Sequence, residues 1–437
     1  MKTKQVINNA KWIIICKIAQ SVLQLFIGML CARYLGPSNY GLINYASSIV
    51  AFVTPVMKLG FDSILVRELI NSPEKEGEVM GTSLVLNVTS AFLCMLGVFS
   101  FVSVANYGDT TAILVCVFYS TSLVFLALEM IQYWFQYKLL SKYSSVIMLI
   151  SYIFVSAYRI FLLVTAKSVY WFALTNSVDY AIIGISLIYV YNKKLKGKFS
   201  FSFKRAKQML NNGKHYILAS LMVVVIQSTD HIMLTNMISE EENGYYSAAI
   251  TCATMLQFVY IAIVDSFRPL ILSNKKDDEQ AYKNNVSRLY CVVLYPAVLQ
   301  CVAFTVFAKL IVTVLYGQDY HDTILILQIL VWYFIFSLMG VVRNVWILAE
   351  EKQKYLWGIN LTGALFNVVL NFITIPLWGA CGAAFASLMT QLFTNFILGF
   401  IFPPLRENNK LLLKGINPGF LLSEYKQILA YLKKRNA

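Results

Sequence analysis

The chain has 437 residues, of which 58% are hydrophobic and 13% charged, whereas soluble domains average about 45–50% apolar and about 25% charged. Its formal net charge is +14. Apolar windows of about 20 residues recur from Trp12 to Pro403, which excludes a string of soluble domains. The runs are continuous rather than alternating, which excludes an outer-membrane barrel.

Taken in chain order, the apolar segments fall near residues 12–34, 41–61, 81–103, 110–134, 143–166, 168–191, 214–237, 244–267, 288–308, 322–348, 355–377 and 379–403. The expectation is therefore an all-α polytopic membrane protein of about twelve transmembrane helices. The first segment has no small-residue cleavage site and is long enough to span, so it reads as a helix rather than a signal peptide. Two non-spanning pieces look amphipathic: Ile64–Met80, with Ser72-Pro73-Glu74 as a helix start, and the basic tail from Ser423.

The charges follow these segments. With the N-terminus taken as cytoplasmic, Lys and Arg gather in the cytoplasmic breaks, and the outer loops hold only Lys167 and Lys309. Lys17, Arg33, Lys58, Arg159 and Arg343 lie inside helices or at their edges. This asymmetry places both termini in the cytoplasm and makes the positive charge a matter of topology, not a nucleic-acid surface. All eight cysteines fall in apolar segments, so no external disulfide framework is expected.

The most basic break, Asn192 to Lys214, divides the chain, and the two parts resemble each other at an offset of 203. Asn8-Asn9 and Lys11 match Asn211-Asn212 and Lys214. Gln24 matches Gln227, Gly41 matches Gly244, and Asp62-Ser63 matches Asp265-Ser266. The expected organisation is an N-terminal six-helix lobe over 1–200, a basic cytoplasmic linker over 192–213, a C-terminal six-helix lobe over 214–403 and a basic amphipathic tail over 404–437. Six helices per repeat make the repeats parallel, an arrangement found in secondary transporters with the substrate between lobes.

No Gly-rich phosphate loop is present, and His215, His231 and His321 make no metal-ligand spacing, so neither ATP hydrolysis nor a metal site is expected. The outer loops are short, which argues against a polymerase or ligase and for a transporter rather than an enzyme. What stands out is charge at membrane depth, which costs about 2.5–3.5 kcal/mol per central residue and calls for a cavity or a partner. Lys17, Gln20, Ser21, Gln24 and Gly28 share one helix face. Glu129, Arg159 and Asp179 follow on the fourth to sixth segments, with Gln227, Asp230 and His231 on the seventh and Arg343 on the tenth. Asn360, Gly363, Asn367, Asn371 and Thr374 form a stripe on the eleventh. Each has a plainer explanation beside the functional one. Lys17 can snorkel to the interface, Arg159 and Asp179 can pair, and the Asn stripe can join helices. Asp230 and His231 can form a satisfied polar pair, while Arg33, Lys58 and Asp62 sit near helix ends. Together, charges of both signs on both halves point to a water-filled central cavity.

The segment ARYLGPSNYGLINYA (Ala32–Ala46), with KLGFDSILVREL (Lys58–Leu69), resembles the polysaccharide biosynthesis transporter family, and more narrowly its Wzx-type flippases of O-antigen repeat units. The resemblance continues through DHIMLTNMISEEENGYYSAA from Asp230, LYGQDY from Leu315 and NVVLNFITIPLWGACGAA from Asn367. One departure is His231 followed by Thr235, where relatives more often show Lys and Gly. The resemblance implies two six-helix bundles forming a V around a central cavity. It also implies alternating access in a bacterial inner membrane, with an undecaprenyl-diphosphate-linked oligosaccharide as cargo. Lys17, Gln24, Arg159, Arg343, Asn367 and Asn371 become candidates for binding substrate. Glu129, Asp179, Asp230 and His231 become candidates for ion coupling by H+ or Na+, or for exchanged salt bridges. No cofactor is expected. A monomer is, with a polysaccharide polymerase and a chain-length regulator as companions. The competing readings are a multidrug or small-solute antiporter, a peptidoglycan-precursor flippase, a membrane glycosyltransferase or ligase, and a scaffold.

Overall fold

The computed structural model describes residues 2–194, 199–420 and 422, and among these the chain is helical with no strand. The expected surface helix from Ser423 and the centre of the basic break, 195–198, lie outside the described residues. Among the described residues, nine helices are long and apolar enough to cross a membrane, or ten when a pair bent by 41° is counted as one span.

In the first part of the chain the order is α1 (Lys2–Met57), α2 (Phe61–Asn71), α3 (Glu76–Ala105), α4 (Thr110–Ser120), α5 (Ser122–Leu126), α6 (Gln132–Tyr137), α7 (Ser141–Val164), α8 (Val169–Lys194), α9 (Phe203–Met237) and α10 (Glu240–Thr254). Then follow α11 (Gln257–Asp277), α12 (Glu279–Val306), α13 (Ala308–Leu315), α14 (Thr323–Leu330), α15 (Tyr333–Ala349), α16 (Leu356–Leu392), α17 (Leu398–Ile401) and α18 (Arg406–Ile416).

Two of these helices are far longer than one crossing. The 56 residues of α1 would run about 84 Å if straight, against a hydrocarbon core of about 30 Å. The helix is interrupted at Gly36, whose φ of 72° is outside the helical region, and Pro37 restarts it with a preset φ. The Leu-Gly-Pro of the family-like segment is thus a break between two spans. Gly379 interrupts α16 in the same way.

The packing is that of a protein whose solvent is lipid. Along α3, Ser83, Asn87 and Ser90 are buried, while Leu93, Leu96 and Phe99 are 65%, 59% and 51% exposed. Polar side chains go inward because hydrocarbon offers them no hydrogen bonds.

The residues divide into two compact units, Met1–Ser247 and Ala248–Ala437. This division falls later than the sequence boundary at 214, because α9 packs along α1 inside the first unit. The basic break is also largely helical: α8 runs to Lys194, and α9 starts at Phe203, where Ser202 Oγ accepts from the Arg205 amide at 3.4 Å. Within the first unit α1 packs on α3, α4, α7 and α9, and α2 lies against α3, α6 and α9. The amphipathic reading of Ile64–Met80 resolves into α2, which buries Phe61, Ile64, Leu65, Glu68 and Leu69, followed by a short 3₁₀ turn and the start of α3. Within the second unit α12 packs on α11, α15 and α18.

Candidate functional site

The first unit holds a cavity of about 480 Å³. Its wall is built from four helical stretches, each presenting one face. From α1 come Ser47, Ala51 and Thr54, at steps of four and three, with Lys58 directly after its last residue. The α4–α6 stretch gives Tyr119, Ser122, Leu126 and Glu129; α8 gives Asn176 and Tyr180, and α9 gives Ser220 and Val224. Asp62, at the start of α2, completes the charged end. Glu129 sits in a 3₁₀ turn, Ala127–Ile131, that breaks what would otherwise be a continuous α-helix. Asn176 Nδ2 donates to the Tyr119 hydroxyl at 2.9 Å, and Thr121 and Ser177 hydroxyls meet at 2.6 Å beside them. Lys58 and Glu129 face the same space without forming an ion pair. A cavity of this size falls within the range of small-molecule sites, about 300–1,000 Å³.

A second cavity of about 350 Å³ in the same unit is lined by Lys17, Gln20, Gln132, Gln136, Ser141, Ser144 and Ser145, with Cys16 and Met148. The first turn of α7 supplies its serines, so peptide N–H groups and an ammonium lie near one opening.

The other sequence candidates are distributed as follows. Gln24 is exposed on α1. Arg159 Nε and Nη2 both donate to Thr175 Oγ1 at 3.3 Å, while Asp179 accepts from Ser151 Oγ at 2.6 Å. The simple Arg159–Asp179 pair is thus not formed; each charge is held by a neighbouring hydroxyl instead. Asp230 is 2% exposed and accepts from the Tyr246 hydroxyl at 2.6 Å. His231 Nδ1 lies 2.7 Å from Asn243 Oδ1, with the Ser247 hydroxyl at 3.2 Å. Asn367 and Asn371, fully buried in the second unit, bond each other through Asn371 Nδ2 and Asn367 Oδ1 at 3.1 Å. Arg343 is buried in that unit and donates from Nη1 to the Thr394 carbonyl at 2.8 Å. Of the candidates, the structure brings Glu129 to the larger cavity and Lys17 to the smaller.

The reading from sequence missed Lys58 and Asp62, taken there as helix-end residues, and the aromatic and amide wall of Tyr119, Asn176 and Tyr180. A signal was present: Tyr119, Ser122 and Glu129, spaced three and seven residues apart, mark one helix face.

The repeat motifs meet in space. Asn243 Nδ2 donates to the Gly41 carbonyl at 2.8 Å. A Cβ added to Gly41 would lie 1.8 Å from the Glu240 carbonyl oxygen, and one added to Gly244 would lie 2.0 Å from that of Pro37. The two glycines matched at offset 203 are therefore the points where α1 and α10 touch backbone to backbone. Close by, Asn236 Nδ2 donates to the Tyr45 hydroxyl at 3.2 Å, and Tyr45 donates to Asn106 at 2.8 Å.

Comparison with known proteins agrees with this architecture. The chain is 21% identical over 398 residues to the capsular polysaccharide biosynthesis protein CapF of Staphylococcus aureus, covering 88% of this chain and 96% of the relative. It is 21% identical over 452 residues to a putative O-antigen transporter of Escherichia coli K12, covering 93% and 97%. Among solved structures it resembles an inward-facing multidrug resistance MATE family transporter of the MOP superfamily, with a TM-score of 0.68 at 12% identity over 91% of this chain and 96% of that one. It also resembles the lipid II flippase MurJ, with a TM-score of 0.62 at 18% identity over 96% of both chains. The fold is thus that of membrane transporters, not of enzymes. The family described as polysaccharide biosynthesis protein matches residues 30–325, more than half of the sequence, and the chain belongs to that family.

Proposed function

We propose that this protein is a flippase. It moves an undecaprenyl-diphosphate-linked oligosaccharide, of the O-antigen or capsule repeat type, across a bacterial inner membrane by alternating access, with both termini in the cytoplasm. The observation that carries this reading is the polar cavity of the first unit, where Lys58, Glu129, Asn176 and two tyrosines face one space inside a bundle whose outer surface is apolar. A glycan needs amide, hydroxyl and aromatic partners to leave water, and a diphosphate needs cations. The polyprenyl chain needs neither and can stay in lipid. Lys58 and Lys17 supply the positive charge on this reading, and the carboxylates of Glu129 and Asp62 serve a coupling ion, H+ or Na+. Gln24, Arg159, Asn367 and Asn371 are further substrate contacts, and Asp179, Asp230 and His231 further coupling groups. The protein works as a monomer beside a polymerase and a chain-length regulator. The names of the curated relatives, a capsule biosynthesis protein and a putative O-antigen transporter, support the cargo class.

The test is expression in a bacterium that makes the matching lipid-linked repeat but lacks its own flippase, with surface polymer and accumulated repeat units measured together. Restored polymer with wild type, and accumulated repeats with Lys58→Ala at equal protein level, is the expected result. Wild type that restores nothing, with a verified matching glycan, rules the cargo out. Glu129 and Asp62 beside Tyr119 and Tyr180 favour one second reading, a small-cation antiporter. Cation-dependent drug resistance on overexpression without polymer restoration would select it.

A further inference from the structure

The second unit buries a guanidinium that has no carboxylate partner among the described residues. Arg343, 5% exposed on α15, is held by one bond from Nη1 to the Thr394 carbonyl, in the π-helical turn Phe393–Ile397, and its Nε is unpartnered. One turn further on the same face, Trp346 is fully buried, and its indole N–H is also unpartnered. Tyr290 lies on α12, which packs on both α15 and α18, and its hydroxyl donates to Asn408 Oδ1 of α18 at 2.9 Å. That leaves Asn408 Nδ2 buried and unpartnered, and Ser287, one turn before Tyr290, has a hydroxyl in the same condition.

Apart from the Ser287 hydroxyl, which can also accept, the unmet groups are donors. Guanidinium and indole N–H groups donate only, and the free end of Asn408 is its donor. A buried donor without an acceptor costs about 1–3 kcal/mol, and an uncompensated charge more. Helices α12, α15 and α18 thus share a surplus of buried donors, and Arg343 has no carboxylate partner among the described residues. Lys352 adds a second cation, its Nζ 4.4 Å from the Trp346 ring centroid. We infer that this cluster is a binding site for a small inorganic anion, a halide such as chloride, seated between Arg343, Trp346 and Asn408. The near-complete burial of the three side chains selects a monatomic ion over a phosphate ester, which would have to bring its alkyl group into the packed interior. The inference concerns the second unit alone and does not rest on the transport reading.

The test uses the purified full-length chain in detergent at constant ionic strength, with gluconate exchanged for chloride or bromide. Thermal unfolding should move upward saturably with halide, and crystals grown in bromide should show anomalous scattering beside Arg343. Trp346→Phe keeps the ring and removes one N–H, so the apparent halide affinity should weaken about tenfold, the scale of one charge-assisted hydrogen bond. Arg343→Met should abolish the halide dependence; if that variant fails to fold, Trp346→Phe decides. Identical unfolding in gluconate and chloride would overturn the proposal. So would a Trp346→Phe titration that superimposes on wild type, or a bromide signal found elsewhere.

Discussion

Replacing Gly41 by Ala tests the backbone contact between α1 and α10 most sharply. The new methyl would lie 1.8 Å from the Glu240 carbonyl oxygen, roughly 1.6 Å short of ordinary contact at 3.4 Å. Neither partner is a flexible side-chain tip, so the two helices must part by about that distance. Doing so stretches the bond from Asn243 Nδ2 to the Gly41 carbonyl beyond hydrogen-bond range. A buried amide left unpaired costs about 1–3 kcal/mol, and overpacking adds about 1–3 kcal/mol. The expected penalty is therefore about 2–6 kcal/mol against the arrangement described here. Thermal unfolding in detergent measures it, as a drop of several degrees, and Gly244→Ala should behave alike because its Cβ would meet Pro37. Gly97→Ala and Gly358→Ala are the controls: nothing lies within 4 Å of either added Cβ, and both sites are helical, where Ala is favoured over Gly by about 1 kcal/mol. Unfolding of Gly41→Ala at the wild-type temperature, or equal losses in the controls, would refute the close-contact argument.

Further outcomes follow from individual contacts. Tyr246→Phe removes the hydroxyl that donates to Asp230, a carboxylate 2% exposed, and should destabilise by about 1–3 kcal/mol, read by the same unfolding assay. Arg205→Ala should cost more, about 3–5 kcal/mol. Its guanidinium lies 3.6 Å from the buried Glu68 and 3.5 Å from Glu78, and its loss leaves Glu68 with the Asn212 amide alone. Thr175→Val removes the hydroxyl that holds Arg159 Nε and Nη2 and should lower transport more than stability in a paired measurement of the two.

The sequence revealed the membrane class and most segment boundaries, because hydropathy reports directly on lipid contact. Gly41 and Gly244, matched at an offset of 203, show why such residues stand out: close backbone approach tolerates no side chain, so the residue type is dictated. The site was less legible. Charges near segment ends look like snorkelling residues in one dimension, and only folding shows that Lys58 faces Glu129 across a cavity. Arg159 and Asp179 look complementary on adjacent helices, yet Thr175 and Ser151 satisfy them separately, a choice of rotamer and register that spacing does not encode. The basic break at 192–214 read as topology alone, whereas Arg205 and Asn212 within it anchor α9 to α2 and α3.

The central claim is that the Lys58–Glu129 cavity carries a lipid-linked glycan across the bilayer. Its most direct test is a translocation measurement in proteoliposomes loaded with a lipid-linked oligosaccharide, in which the fraction of glycan accessible to an external lectin is followed over time. The account predicts exchange of glycan between leaflets with wild type and a loss of at least tenfold in rate with Lys58→Ala and with Glu129→Gln, at unchanged unfolding temperature. Wild-type rates in both variants, or no exchange with the wild-type protein, would contradict it.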